Sequence, residues 1–187
     1  MGGMDKGLQI LNGQALALRA AESLQSHTGK VMISANRHLE VYRSWGFPLV
    51  TDTLPDFQGP LAGMLVGLQG CHTDWLLTCP CDCPQVPNHL AQRLSKGRIT
   101  PHTLAVCAQR IDAQGQRKDE PAFCLLHRSL APSLDAFLHT GERKVMTWLQ
   151  SVGCEPALFD HPDDAAAFAN INTLQALAAL NAQARAR

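Results

Sequence analysis

WLLTCPCDCP, residues 75–84, is an apolar run that stops abruptly at a turn rich in cysteine and proline. An apolar run without polar alternation reads as a strand buried on both faces, as in a parallel sheet covered by helices. The turn after it then lies at the carboxyl end of a parallel strand, the edge where open α/β sheets bind ligands. Asp82 is the carboxylate of that turn. Such a donor suits Mg²⁺, which takes one or two carboxylates and completes its shell with substrate phosphates. A plain turn former between prolines is the competing reading.

On either side, short β-like runs alternate with longer helical ones. Upstream, Leu16, Ala20 and Leu24 recur at helical spacing, residues 30–35 (KVMISA) and 47–50 read as strands, and 60–68 reads as a helix with Pro60 in its first turn. Downstream, 87–94 reads as helix, and strands at 103–108 and 122–126 flank a polar stretch, 112–120, expected as a surface hairpin or excursion. Helices at 133–138 and 143–152, a last strand at 167–171 and a closing helix at 173–187, N-capped by Thr173, complete the pattern. This alternation specifies an α/β fold with a mostly parallel sheet. No repeat or linker divides residues 1–187, so one domain is expected.

Composition narrows the partners. The 187 residues are 45% apolar and 17% charged, as in ordinary globular proteins. Sixteen basic and sixteen acidic side chains cancel, leaving no footprint for nucleic acid or an anionic membrane. No run approaches the roughly 20 apolar residues of a membrane span, and the first eight residues lack the apolar core of a signal peptide. A cytoplasmic protein is expected, and its seven cysteines, an odd number, read as reduced thiols. The CPCDC cluster is read as a strand end leading into a turn, with zinc the minor alternative, because structural zinc sites prefer two to four residues between paired ligands and a second pair elsewhere.

Four other stretches can carry chemistry. MGGMDKG at the start sets Gly2, Gly3 and Lys6 before a helix, where backbone N–H groups and an ammonium can converge on phosphate, although a frayed end has the same composition. In AFANINT, 167–173, strand alternation puts Asn170 and Asn172 on one face; asparagine offers an oxygen to a metal and an amide to phosphate, but is also an ordinary cap. SANRH, 34–38, ends a strand with Ser34, Asn36, Arg37 and His38, and TDTLPDFQGPLAG, 51–63, contains Asp52 and Asp56, either of which suits a turn. Arg37, Arg117 and Arg143 are candidates for an anionic acceptor, or simply solvated arginines.

The strings MGGMDKGL, LNG at 11–13, SANRH, GPLAGM at 59–64, CPCDCP, GERKVM at 141–146 and FANINT, in this order, resemble the molybdenum cofactor guanylyltransferases along nearly the whole chain. The resemblance implies a Rossmann-like three-layer nucleotidyltransferase fold and transfer of GMP from GTP to molybdopterin, with loss of pyrophosphate. It implies phosphate contacts from Gly2, Gly3 and Lys6, nucleotide contacts from Asn36 and Asp52, and Pro60, Leu61 and Gly63 near the guanosine. Asp82 would bind Mg²⁺ and take part in catalysis with Lys6; Asn172 would join the metal, with Asn170 and Arg37 in the active site. Ser34 stands where the family often has asparagine, keeping an acceptor and losing an amide donor.

The family pattern also places an apolar strand and a leucine-alanine-glycine-glycine turn ahead of this MGG. The expected sheet therefore lacks its first strand, between those at 31–34 and 75–78, leaving neighbours with unpaired backbone groups. A chain of this sequence alone is expected to fold poorly or rearrange, and a native mass near 20.3 kDa would exclude a longer natural start. Molybdenum-insertion proteins and molybdoenzyme chaperones are the implied protein partners. The alternatives are a cytidylyl- or sugar-phosphate nucleotidyltransferase and a non-catalytic nucleotide-binding adaptor.

Overall fold

The computed structural model describes residues 5–52, 59–83, 85–161, 164–168, 177–178 and 181–182. A 3₁₀ turn, Lys6–Leu8, leads into a small hairpin of β1 (Ile10–Leu11) and β2 (Gln14–Ala15), and then α1 (Leu16–Gln25). β3 (Ile33–Ser34) and β4 (Leu49–Val50) pair in parallel, with α2 (Leu39–Arg43) between them in sequence. α3 (Pro60–Gly70) and β5 (Trp75–Leu77) follow, then α4 (Leu90–Lys96). β6 (Ala105–Ile111) and β7 (Arg117–His127) form a long hairpin, followed by a 3₁₀ turn, Arg128–Leu130, and by α5 (Ala131–His139) and α6 (Val145–Ser151). β8 (Glu155–Phe159) and α7 (Asp164–Ala167) complete the named elements.

The main sheet has four strands in the order β5-β7-β6-β8. β7 is antiparallel to both neighbours and β8 is parallel to β6, so β5, β6 and β8 share one direction and β7 alone opposes it. Alternation along β6 and β7 sends Ala105, Cys107, Cys124 and Leu126 to one face, under α3, α5 and α6 with the fully buried Trp148. Val106, Ala108, Phe123 and Leu125 go to the other face, against Leu90 and Leu94 of α4 and against Phe168. The apolar runs are unbroken because both faces are covered, which makes three layers.

The hairpin register slips between Cys107, paired with Cys124, and Ala108, paired with Glu120. Pro121, which has no N–H to give, falls in this irregularity. Thr78 repairs it: its hydroxyl donates to the Ala122 carbonyl at 2.9 Å and accepts the Cys124 N–H at 3.0 Å. This fixes the end of the strand from which the Asp82 turn departs. The polar stretch 112–120 is a hairpin, closed by Asp112 Oδ1, which accepts the N–H groups of Gln114 and Gln116.

Among the described residues no backbone bond joins β3 to β5, so the sheet is divided between the β3–β4 pair and the four-stranded part. α3 lies across the division. A Cβ on Gly67 would come within 3.0 Å of Leu76 in β5, and Gly70 faces Met32 and Val50 beside the other pair. A side chain at position 67 would therefore press on the Leu76 methyl and oblige it to shift by a few tenths of an ångström.

Several boundaries differ from the sequence expectation. The strand expected at 167–171 is not one at its start, since Ala167 ends α7; residues 169–171, like Thr173, lie outside the described residues. β8 is not among the expected strands; it contains Pro156, which an edge strand tolerates, and β8 is bonded only to β6 among the described residues. α4 begins after the expected residue 87, because His89 at its start is left-handed, with φ 57°. No helix among the described residues is long and apolar enough to cross a membrane.

Candidate active site

Lys6 and Asp82, 76 residues apart in sequence, meet at the carboxyl end of β5, where Lys6 Nζ lies 3.1 Å from Asp82 Oδ2. The Asp82 side chain is 13% exposed and that of Lys6 42% exposed, so the carboxylate is fixed while the ammonium reaches solvent. The Asp82 turn is anchored through Cys83, whose thiol is fully buried 2.8 Å from the Ala167 carbonyl oxygen. Chain leaving α7 therefore sets out beside this turn. Asn170 and Asn172 follow it and lie outside the described residues, as do Gly2 and Gly3.

The thiols beside Asp82 are held protonated. Burial pushes the Cys83 thiol up to about 12, and burial followed by its cysteine and Asp82 neighbours raises Cys79 well above the usual thiol value. Loss of solvent around the sulfur, then Asp82 and Asp5, push Cys81 up to about 11, although that residue presents surface to solvent. The Asp82 carboxylate is a hard oxygen donor, which fits a hard cation such as Mg²⁺. Among the described residues no group of three or more His, Cys, Asp or Glu is placed to hold a metal ion.

A second limb is built at the ends of β3 and β4. Asn36 Nδ2 donates to Asp52 Oδ2 at 2.7 Å, and its Oδ1 accepts the Asp52 N–H at 2.8 Å. Asp52 Oδ1 is buried and has no hydrogen-bond partner among the described residues, leaving an acceptor of the kind a ligand donor satisfies. Ser34 is exposed at the end of β3, and its Oγ would lie 3.1 Å from a Cβ on Gly63. The first turn of α3 thus adjoins the β3 end. Pro60 is exposed there, whereas the Leu61 side chain is fully buried in the core, so any ligand contact from Leu61 must come from its backbone.

Arg37 is exposed beside Asn36. Arg143 donates to the carbonyls of Leu138 and Glu142, closing the end of α5, and Arg117 pairs with Ile111 in the hairpin. Sequence reasoning missed Asp5 and Tyr42, which bond to each other at 2.8 Å beside Lys6. Tyr42 is the only tyrosine of the chain, the one signal that could have raised it.

A sheet covered by helices on both faces, with Lys6 and Asp82 beyond the carboxyl end of β5, is a fold shared with solved nucleotidyltransferases. The solved structure of 2-C-methyl-D-erythritol 4-phosphate cytidylyltransferase from Thermus thermophilus shares the fold, with TM-score 0.73 and 15% identity over 96% of this chain and 94% of that one. Molybdopterin-guanine dinucleotide biosynthesis protein A from Archaeoglobus fulgidus shares it with TM-score 0.68 and 16% identity, over 99% of this chain and 93% of that one. The model of the MobA-like NTP transferase domain matches residues 1–154, and the chain belongs to that family. A relative from Cupriavidus metallidurans, called molybdenum cofactor guanylyltransferase, is 49% identical over 177 residues, which is 95% of this chain and 86% of the relative.

Proposed function

We propose that this nucleotidyltransferase transfers GMP from GTP to molybdopterin, releasing pyrophosphate and forming the guanine dinucleotide form of the cofactor. The observation that carries the reading is the Lys6–Asp82 pair at the carboxyl edge of the sheet. Attack of an acceptor phosphate oxygen on the α-phosphorus of GTP brings two polyanions together, so alignment and charge neutralisation do most of the catalysis. Lys6, half-exposed on a flexible stem, gives its ammonium to the phosphate oxygens, and Gly2 and Gly3 add backbone N–H groups. Asp82, with Asn172, would hold Mg²⁺, which supplies further neutralisation of the phosphates when bound.

Asn36 holds the Asp52 carboxylate so that Oδ1 accepts from the nucleotide. Ser34 and the backbone of α3 at Pro60, Leu61 and Gly63 border the guanosine, with Asn170 and Arg37 toward the reacting phosphates. The same reading carries a cytoplasmic enzyme that exchanges its pterin with molybdenum-insertion proteins and molybdoenzyme chaperones.

Pyrophosphate release is measured with molybdopterin and either GTP or CTP in the presence of Mg²⁺. Turnover with GTP and little with CTP is expected. A preference for CTP overturns the guanylyl assignment, and GTP binding without pyrophosphate release favours a non-catalytic adaptor.

A further inference from the structure

We propose that Tyr42 is a positioning residue for Lys6, acting through the carboxylate of Asp5. The inference rests on reading Lys6 as the cation that binds nucleotide phosphate. Asp5 Oδ1 accepts two bonds, from the Tyr42 hydroxyl at 2.8 Å and from the Gly7 N–H at 3.0 Å. These bonds fix the residues immediately before and after Lys6. Gln9 closes the turn from the other side: its Nε2 donates to the Asp5 carbonyl and its backbone N–H to the Lys6 carbonyl, both at 3.2 Å.

Tyr42 is suited to this task because it is packed into the core. It is 4% exposed, packs with Ala17, Ala21 and Ile33, and sets its ring edge-on to Trp45 at a centroid distance of 4.9 Å. The turn fits down onto its hydroxyl only because residue 7 is glycine: a Cβ there would lie 2.5 Å from Tyr42 Oη and 3.0 Å from the Ala17 Cβ. Burial, then the bond to Asp5 and its charge, push the phenol far above its usual range, so the hydroxyl keeps its proton and remains a donor. Tyr42 belongs to α2, which follows β3, so its hydroxyl anchors the Lys6 turn to a neighbouring element of the fold.

The test combines Tyr42→Phe, Asp5→Ala, Asp5→Asn and Lys6→Ala, measuring turnover by pyrophosphate release and GTP affinity by calorimetry. Tyr42→Phe is expected to lower turnover tenfold or more and to weaken GTP binding about fivefold. Asp5→Ala should do at least as much, and Asp5→Asn, which keeps an acceptor oxygen, should recover part of the loss. In the Lys6→Ala background Tyr42→Phe should leave the already weakened GTP affinity unchanged within twofold. Equal weakening in both backgrounds means that Tyr42 only supports the fold, and overturns the proposal. So does normal turnover in both Tyr42→Phe and Asp5→Ala when Lys6→Ala is impaired. Normal affinity and turnover in Lys6→Ala itself removes the underlying reading of Lys6, and the proposal with it.

Discussion

Replacing Asp82 by alanine separates the structural share of the Lys6–Asp82 pair from its chemical share. Two unit charges at a separation of about 3.1 Å attract by about 5 kcal/mol at an effective dielectric of 20 and by about 1 kcal/mol in water. The Lys6 side chain is 42% exposed, which moves the pair toward the aqueous limit, and partial desolvation of Asp82 at 13% exposure offsets some of the remainder. A net contribution to folding of about 1 kcal/mol follows, which for a domain of this size is a fall of about 2–4 °C in Tm. Loss of a preorganised charge from a transferase site costs more, about 3–4 kcal/mol in the transition state, or a factor of about 10²–10³ in kcat. Calorimetric Tm and steady-state pyrophosphate release on the same preparation check both figures. A Tm fall above about 10 °C would make Asp82 mainly a structural residue, and unchanged turnover would refute its place in the chemistry.

Arg93→Ala should act in the opposite sense. The guanidinium donates to both oxygens of Asp164, at 2.8 and 2.7 Å, and stacks over Phe159 at 3.9 Å, so its loss leaves a carboxylate that is 8% exposed without this counter-charge, keeping the His161 N–H at 2.9 Å. Unfolding in urea should show a loss of about 3 kcal/mol, and a loss below about 1 kcal/mol would contradict the pairing. Asn36→Ala removes both bonds that orient Asp52 and should raise KM for GTP several-fold with little change in Tm; an unaltered KM would count against Asp52 as a nucleotide contact. His27 has its pKa lowered below 6.5, by burial first and then by His89, so its neutral form is the one the fold favours. Its share of stability is present above pH 6.5 and is lost as pH falls through the lowered folded value. His27→Gln should flatten that acid-side loss in a series of Tm measurements, and an identical pH slope in both proteins would disprove the assignment.

The alternation of short apolar runs and helical periods was sufficient for an α/β fold, because a strand must be apolar where both its faces are covered, as residues 105–108 of β6 and 123–126 of β7 are. The place of Asp82 in a turn after a strand could be read from WLLT alone, since a strand end followed by a turn is a local property. The expected parallel pairing was not found: among the described residues β5 pairs only with β7, and antiparallel. Elements whose existence depends on a partner were not legible. β8 contains Pro156 and is a strand only because β6 offers it an edge, and α2 is a five-residue helix flanked by the left-handed His38.

From the sequence alone came the layered fold and the identity of the charged groups, together with the family their ordered strings resemble, because residue type and spacing along the chain carry that information. Tertiary structure decided which of those groups meet. It brought Lys6 to Asp82 across 76 residues and Asp5 to Tyr42 across 37, and it put the Leu61 side chain in the core, leaving only its backbone to a ligand. Hydrogen bonds and ion pairs act over a few ångströms in space, whatever the number of residues between the partners, so no local pattern could have revealed that one buried phenol holds the turn carrying Lys6.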